Sequence, residues 1–471
     1  MNHLTAASRR ELEMLTVRLM EEYSARGMAV GVTDAEGNIL YENYFGWRDA
    51  ENRLPIDRDT LFGMASVTKS FTALSIMQMQ SEGILSVEDM VKDYIPEFTN
   101  KNQTEPVKIW HLLCHSGGFF PLPRIVVDKV AQEMGIEDAM DNELIYREDF
   151  ADEGVRRVAC RLDDQTRFTG RPGQRLSYCN DGFGLLSDII RRYSDCRSFA
   201  EYLDRHILKP LDMGRSNIGF LRNTLDANAA VLYSQEPDGT WRADRDYEND
   251  AFVLHGGGAL KSTLGDMLKY AAMYLNEGEG VNGHRIIDRY SICEMCKPRQ
   301  FMKPGVYYGY GLESKQMEDM TVIEHSGSLP GVSSNFAFCP QAGLGIVVLC
   351  NTMDVPAYAV SDMTFGAFCG LPLTEKRMEH APYQWTEEEI KELEGNYISG
   401  EGDCFCLKAE KGTLTMILNG KATELTPVYP WQGMVRKKYT DVYLTAVRDE
   451  DGHVFAAHYG SRIFPKTLAE R

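Results

Sequence analysis

The sequence predicts an α+β fold in which both ends of a main domain build one sheet, with helices inserted between them. A small β-rich domain is predicted to follow at the C-terminus. Three observations support this prediction: strand patterns stand near the N-terminus, helical patterns dominate the middle, and strand patterns return from Tyr308 onward. With 471 residues, the chain is long enough for two or three domains.

The first part of the chain predicts helices and one hairpin. A charged amphipathic run opens the chain, and Asp34-Ala35-Glu36-Gly37 has the composition of a turn between two strands. The run that starts at Ser66 repeats apolar residues without glycine or proline, which indicates a buried or half-buried helix. The elements predicted here are helices at residues 1–26, 66–80 and 85–95 and strands at residues 29–33 and 38–45.

The middle of the chain is irregular and acidic between residues 119 and 170, and is then mostly helical. Further on, Pro340-Gln341-Ala342-Gly343 marks a hairpin turn between two apolar strands. The elements predicted in this part are helices at residues 182–208, 265–275 and 357–369 and strands at residues 321–324, 334–338 and 344–349.

Two composition changes predict the domain boundaries. We expect a main domain at residues 1–370, with the helical insertion at about 85–260. Residues 371–385 are mostly polar and contain two prolines, which is typical of a linker. Strand-like runs then alternate with turns, so residues 386–471 are predicted to form a β-rich domain.

The net charge and the hydropathy pattern restrict the partners. A formal charge of −19 argues against nucleic acid or an anionic membrane surface as a main partner. No stretch approaches 18 apolar residues, so no membrane-spanning helix is expected. The N-terminal run lacks the unbroken apolar segment of a secretory signal, and we expect a cytoplasmic protein.

The cysteines indicate reduced thiols and no metal site. They number 11, an odd count, and they are scattered along the chain. Cys293-x-x-Cys296 and Cys404-x-Cys406 lie far apart, and neither has a second pair at the spacing of zinc ligands. We therefore expect neither a metal nor a cofactor.

Ser66-x-x-Lys69 is the first candidate for chemistry. A spacing of three places both side chains on one helix face. If burial lowers the pKa of the lysine, its neutral amine can take the proton of the serine hydroxyl. The start of a helix also favours negative charge that develops beside the serine. The pair alone is weak evidence, because most such pairs lie on solvated helix surfaces.

Two further motifs make the pattern specific. Tyr178-Cys179-Asn180 follows a loop signal, and His325-Ser326-Gly327 follows a predicted strand. With Ser66-x-x-Lys69, these motifs resemble the three ordered motifs of the serine beta-lactamase-like hydrolases. The nearest group contains class C beta-lactamases, D-alanyl-D-alanine carboxypeptidases and esterases. Leu112-Leu113-Cys114-His115-Ser116-Gly117-Gly118 resembles that group's LLxHTSG signature, and the likeness covers roughly residues 5–370.

The resemblance implies an α/β/α sandwich with an antiparallel sheet flanked by helices, an all-helical subdomain, and a lipocalin-like C-terminal barrel. It also implies roles for the first two motifs. Ser66 would be the nucleophile that forms an acyl-enzyme, and Lys69 would activate it. Tyr178 would act as general base and then as acid, provided that its pKa is lowered.

The resemblance assigns the remaining site residues as well. The backbone N–H groups of Ser66 and Ser328 would form the oxyanion hole. Asn180 would donate to the acyl-side amide of the substrate. Three residues of the third motif would line the far wall: His325, Ser326 and Gly327.

One departure from the family pattern bears on the substrate. Beta-lactamases and carboxypeptidases of the group usually have lysine where this chain has His325, which is mostly neutral at pH 7 if unperturbed. A histidine there resembles family members that act as peptidases, amidases or esterases.

The sequence therefore predicts a serine hydrolase that cleaves an amide or peptide bond of a small-molecule or short-peptide substrate. The alternatives are a carboxylesterase, a weak beta-lactamase or penicillin-binding activity, and a non-catalytic sensor. A homo-oligomer is compatible with the sequence.

Other interpretations of single residues stay open at this point. Tyr178 alone fits a half-buried aromatic, and Asn180 alone fits a helix cap. His115-Ser116-Gly117 is interpreted as a structural turn. The sequence contains no Gly-x-Ser-x-Gly motif, which argues against the α/β-hydrolase fold.

Overall fold

The structure is a computed structural model that describes residues 4–139, 141–219, 221–222, 226–236, 238–247, 255–373, 377–410 and 412–467. The α-helices are α1 (Ala6–Glu22), α2 (Thr68–Ser81), α3 (Val91–Tyr94), α4 (Ile109–Leu113), α5 (Val127–Glu133), α6 (Glu148–Asp163), α7 (Asn180–Tyr193), α8 (Phe199–Leu203), α9 (Leu264–Leu275), α10 (Arg289–Cys296), α11 (Ala357–Cys369) and α12 (Glu387–Leu393).

The strands of the main domain are β1 (Gly27–Thr33), β2 (Ile39–Asp49), β3 (Leu54–Pro55), β4 (Phe62–Gly63), β5 (Leu221–Arg222), β6 (Leu232–Gln235), β7 (Trp241–Asp244), β8 (Asp246–Tyr247), β9 (Lys261–Ser262), β10 (Gln300–Lys303), β11 (Val306–Tyr308), β12 (Glu313–Met317), β13 (Met320–Leu329), β14 (Val332–Cys339) and β15 (Leu344–Cys350). The C-terminal strands are β16 (Gly395–Ile398), β17 (Cys404–Glu410), β18 (Thr413–Leu418), β19 (Lys421–Tyr429), β20 (Gln432–Arg436), β21 (Asp441–Arg448), β22 (Val454–Tyr459) and β23 (Arg462–Thr467).

Both ends of the main domain contribute to one nine-stranded antiparallel sheet, as the sequence predicts. Its order is β10-β11-β12-β13-β14-β15-β1-β2-β3. The N-terminal hairpin joins the later strands where β1 pairs with β15. The antiparallel register is set by short hairpins, such as the two-residue turn between Leu329 and Val332.

Helices cover both faces of this sheet and produce the predicted α/β/α sandwich. Alternate residues of β14 point to opposite layers, so Phe336 packs in the core with α2 and α9 while Ala337 packs in the core with α1 and α11. Strand β1 is buried along its whole length because it is covered from both sides.

The structure shortens the helix predicted at 85–95. The segment predicted as a helix at 85–95 is helical only at Val91–Tyr94. The amide of Ser86 donates to the carboxylate of Asp89 at 2.7 Å, and the amide of Asp89 donates to the carbonyl of Ser86. This local turn competes with the helix for the same backbone groups.

The helix predicted at 182–208 is interrupted. Helix α7 ends at Tyr193, and α8 starts again at Phe199 with the side chain of Ser198 as its cap. A π-helical turn, Asp204–Leu208, follows α8. The inserted region also contains short β pairs, β5–β8 and β6–β7, which are too short to give a visible alternation in the sequence.

The C-terminal strands form a closed eight-stranded antiparallel barrel in simple sequence order, β16 through β23. Strand β16 pairs with β23 and closes it. Inward side chains such as Leu407, Met416 and Leu444 fill the interior. This confirms the predicted β-rich domain, while the boundaries at residues 370 and 386 stay predictions.

Among the described residues, the helices are all too short or too polar to cross a membrane. The eleven cysteines are free thiols.

The turn that carries Ser66 packs directly on β13 at Gly327. A Cβ at position 327 would overlap the carbonyl oxygen of Met64 and the hydroxyl of Ser334. The Ser334 hydroxyl itself donates to that carbonyl at 2.8 Å. Glycine in the third motif therefore lets the nucleophile turn approach the sheet.

We predict that Gly327→Ala lowers the free energy of unfolding by about 1–3 kcal/mol, because the added methyl group must displace backbone. Urea unfolding followed by circular dichroism measures it. Gly214→Ala is the control, since a Cβ at Gly214 meets open space. Equal stability of the two variants would contradict this packing.

Candidate active site

Ser66 lies in a tight turn between strand β4 and helix α2. The turn is a 3₁₀ segment, Ala65–Val67, that leads directly into α2. Ala65 has a φ of 47°, a left-handed conformation that is rare for a residue with a Cβ. The Thr68 hydroxyl donates to the Ala65 carbonyl at 2.7 Å and holds this conformation. Strain next to a candidate nucleophile is typical of a functional site.

Lys69 meets the serine from the first turn of α2. Its Nζ lies 3.0 Å from Ser66 Oγ and 2.7 Å from the carbonyl oxygen of Gly257. The lysine side chain is fully buried, at 0% exposure. Burial, and secondly the charge of Arg462, lower the pKa of Lys69 well below its ordinary value. A neutral amine beside the serine hydroxyl is the condition that the sequence analysis set for activation.

Tyr178 reaches the same hydroxyl from the segment before α7. Its ring centroid lies 4.8 Å from Lys69 Nζ, and the residue is 8% exposed. Burial raises the pKa of Tyr178, and its hydrogen bond with Ser66 and the charge of Arg462 act in the opposite direction. With its pKa raised, Tyr178 is a neutral phenol near pH 7 and does not meet the lowered-pKa condition for a general base.

A buried chain of hydrogen bonds connects the second motif to the third. The Cys179 amide donates to His115 Nδ1 at 3.1 Å, which leaves His115 Nε2 as the donor to the Tyr308 hydroxyl at 3.2 Å. Tyr308 then donates to His325 Nε2 at 2.8 Å, and His325 Nδ1 donates to the Ser326 carbonyl at 2.6 Å. Each neutral histidine therefore has one tautomer that satisfies both ring nitrogens.

His325 is not a cation in this arrangement. It is 2% exposed, and burial, the largest cause, lowers its pKa to about 3. Both ring nitrogens are used inside the protein, so His325 supports the wall of the site from behind. His115, interpreted from sequence as a structural turn, also packs its ring 4.0 Å from the ring of Tyr178.

The third motif extends beyond the neighbouring strand. Strand β12 pairs with β13 only as far as Glu324, so the residues after it have one edge that β12 does not cover. Leu329 and Val332 close the hairpin, which directs the N–H of Ser328 away from β14 and toward this edge. Ser326 accepts from the Asn335 side chain at 3.0 Å.

The barrel contributes residues to the site that the sequence analysis missed. Ser461, in the turn before β23, accepts a hydrogen bond from the backbone N–H of Tyr178 at 2.8 Å. The guanidinium carbon of Arg462 lies 5.0 Å from the centroid of the Tyr178 ring. Arg462 Nε donates to Glu401, and Glu401 also accepts from Asn180 Nδ2 at 3.1 Å. The capping interpretation of Asn180 does not hold, since it is the first residue of α7 and its amide faces the barrel.

The predicted residues thus fall into two groups. Ser66, Lys69 and Tyr178 meet around one hydroxyl, and Asn180 and the third motif surround them. The additional residues are His115, Tyr308, Glu401 and Arg462. Only His115 carried a sequence signal, through the LLxHTSG resemblance. The others come from distant strands and loops without a motif of their own.

One group among the described residues has the side chains to hold a metal ion, and it lies outside this site. It consists of Asp195, Cys196 and His206, between α7 and the π-helical turn. Asp195 is also paired with Arg205 at 2.9 Å.

The fold and the serine–lysine–tyrosine arrangement are compatible with a protein of the beta-lactamase type. The Beta-lactamase family model matches residues 12–367, which is most of the chain, and the chain belongs to this family.

Relatives of this chain carry the names of different hydrolases. A D-aminopeptidase from Gluconobacter oxydans is 25% identical over 79% of this chain, and the match spans 64% of that protein's length. Esterase EstB from Burkholderia gladioli is 26% identical over 69% of this chain, and the match spans 86% of the esterase's length. Among solved structures, the octameric penicillin-binding protein homologue from Pyrococcus abyssi shares 24% identity with a TM-score of 0.66, covering 97% of this chain and 99% of that one. This last likeness extends the shared fold through the C-terminal barrel.

We predict that two substitutions in the barrel shift the pH dependence of Ser66 reactivity in opposite directions. The neutral Lys69 amine is lost as pH falls through its lowered pKa, so labelling by a fluorophosphonate falls at acid pH. Arg462 lowers this pKa and Glu401 raises it. Arg462→Gln should move the acid limb to higher pH, and Glu401→Gln should move it to lower pH.

The measurement is the second-order labelling rate between pH 5 and 10. The groups that act on the pKa of Lys69 are Arg462, Glu401 and the thiol of Cys179. Removal of a positive charge and removal of a negative charge should move the acid limb in opposite directions, whereas a purely structural disturbance does not depend on the sign of the charge removed. A shift of both variants in the same direction would therefore contradict the electrostatic explanation.

We also predict that Tyr308→Phe lowers the free energy of unfolding by about 1–3 kcal/mol. The buried Nε2–H of His115 and the buried, unprotonated Nε2 of His325 would both lose their hydrogen-bond partner. Thermal or urea unfolding measures the loss. Tyr307→Phe on the same strand is the matched control, since Tyr307 is 40% exposed. An unchanged stability of Tyr308→Phe would show that the chain of hydrogen bonds is not formed.

Proposed function

We propose that this protein is a serine hydrolase that cleaves the amide or peptide bond of a small substrate through an acyl-enzyme on Ser66. The observation that carries the proposal is the buried Lys69 amine, 3.0 Å from Ser66 Oγ, with a pKa lowered by burial. The family membership and the hydrolase names of two relatives support it.

Acylation follows from the positions of these groups. Lys69 takes the proton of Ser66 as Oγ bonds to the substrate carbonyl carbon. The N–H groups of Ser66 and Ser328 donate to the oxyanion that forms. The carbon–nitrogen bond then breaks, and Tyr178 gives its proton to the leaving nitrogen while it receives one from the Lys69 ammonium. Water attacks the acyl-Ser66 ester with the same groups, which releases the acid and restores the serine.

Asn180 and the third motif bind the substrate in this proposal. Asn180 Nδ2 has one hydrogen on Glu401 and a second for the acyl-side amide of the substrate. Ser326 and Gly327 form the wall, and His325 holds that wall through Tyr308 rather than by charge.

An amide is favoured over an ester because burial keeps Tyr178 protonated, and a leaving amine needs a proton more than a leaving alcohol does. Ester hydrolysis is the second candidate, supported by the likeness to Esterase EstB. Reaction with penicillin is a third outcome to be measured, and a non-catalytic sensor is the remaining one.

We further propose a cytoplasmic location and a homo-oligomer as hypotheses. The structural neighbour from Pyrococcus abyssi is described as octameric. At 24% identity, that likeness carries the fold alone, and light scattering of the purified protein decides the assembly state.

We predict that Ser66→Ala abolishes both fluorophosphonate labelling and hydrolysis of amide and ester substrates. Lys69→Ala should lower kcat/KM by about 100-fold or more through loss of the proton acceptor. The assay compares D- and L-amino-acid p-nitroanilides, p-nitrophenyl acetate and a penicillin. Ser81→Ala, exposed at the far end of α2, is the control.

Activity that survives in Ser66→Ala would rule out the proposal. Mass spectrometry that finds a stoichiometric adduct on Ser66 without turnover would assign the sensor function instead.

A further inference from the structure

The site has no cation from its third motif. The first position of this motif is His325, and Ser326, Gly327 and Ser328 follow it. His325 is neutral and buried, and it is engaged by Tyr308 and by the carbonyl of Ser326. Its side chain cannot replace an ammonium group at the substrate.

Arg462 brings a guanidinium to the Tyr178 side of the site from the barrel. It is the first residue of β23, and its guanidinium lies over the ring of Tyr178. The turn before it is fixed to the main domain, because the carbonyl of Ser461 accepts the Tyr178 amide and the Ile463 amide donates to Ser177 Oγ. The barrel therefore holds this arginine in a defined position relative to the nucleophile.

The guanidinium has donors left for a ligand. Nε is bound to Glu401, and NH1 makes one long contact of 3.4 Å to Ser461 Oγ. The side chain is 27% exposed, so part of it is open to solvent. A guanidinium held at one nitrogen can present its remaining N–H groups as a fork to a carboxylate.

Other lysines near the third motif are engaged elsewhere. Lys315 forms ion pairs with Glu324 at 2.9 Å and Asp362 at 2.5 Å. Lys303 donates to the hydroxyl of Thr440 at 2.6 Å. Lys69 is occupied by the serine and the Gly257 carbonyl.

We propose that Arg462, supplied by the barrel and held by Glu401, is a specificity-determining residue that binds a carboxylate on the leaving group of the substrate. The inference rests on the proposed function and names its substrate class: amides whose leaving amine carries a free carboxylate, as in the C-terminal residue of a short peptide. The carboxylate belongs on the leaving-group side because Arg462 covers Tyr178, the residue that protonates that group.

The test uses two chromogenic substrates that differ by one carboxylate. They are the p-nitroanilide and the 3-carboxy-4-nitroanilide of the same amino acid, in the D and the L series. The wild type should prefer the carboxylated substrate in kcat/KM by about tenfold or more, the size expected for a charge-assisted pair. Arg462→Gln should bring this ratio to about one, and Arg462→Lys should retain part of it because it keeps the charge without the fork.

The ratio separates recognition from structure. Arg448→Gln, on an exposed arginine of β21, is the control and should keep the wild-type ratio. If Arg462→Gln lowers kcat/KM for both substrates by the same factor, Arg462 only positions the barrel and the inference is overturned. Ser66-dependent hydrolysis without a preference in the wild type overturns the inference and leaves the proposed function intact. If the wild type shows no more hydrolysis than Ser66→Ala, the proposed function fails, and the inference fails with it.

Discussion

The burial of the Lys69 amine beside Ser66 is the interaction on which the site depends. An ammonium group without water or a carboxylate partner costs several kcal/mol, so burial favours the neutral amine. That amine is held between the Ser66 hydroxyl and the Gly257 carbonyl. The same desolvation keeps Tyr178 protonated and His325 neutral. One physical condition thus determines the protonation states of three motif residues.

The barrel is part of this environment rather than an appendage. Arg462 and Glu401 act on Lys69 with opposite sign, and Arg462 lies against Tyr178. Because Arg462 donates a hydrogen bond to Glu401, the barrel adds an ion pair with almost no net charge. The two members of this pair face different residues of the site. Such a pair positions an arginine fork at the site without adding a net charge to it.

Much of this could be predicted from the sequence, and the missing part has a physical reason. Ser66-x-x-Lys69 lies within one helical turn, so its geometry follows from local spacing. The β1–β2 hairpin and α11 followed from periodicity and turn chemistry. Arg462 reaches Tyr178 across 284 positions of sequence, and only the closed barrel and its docking bring them together. The helix predicted at 85–95 failed because a serine–aspartate turn outcompeted it, an effect that apolar periodicity does not register.

The most direct measurement is the pKa of Lys69 by NMR, with lysine labelled by ¹³C at Cε and the resonance assigned through its loss in Lys69→Arg. Lys261, also buried and with a pKa lowered to about 7, serves as an internal comparison. The Lys69 resonance is expected to titrate well below the exposed lysines, whose ordinary pKa is about 10.4. Titration of Lys69 together with the exposed lysines would contradict it, because the amine would then be an ammonium ion that cannot take the Ser66 proton.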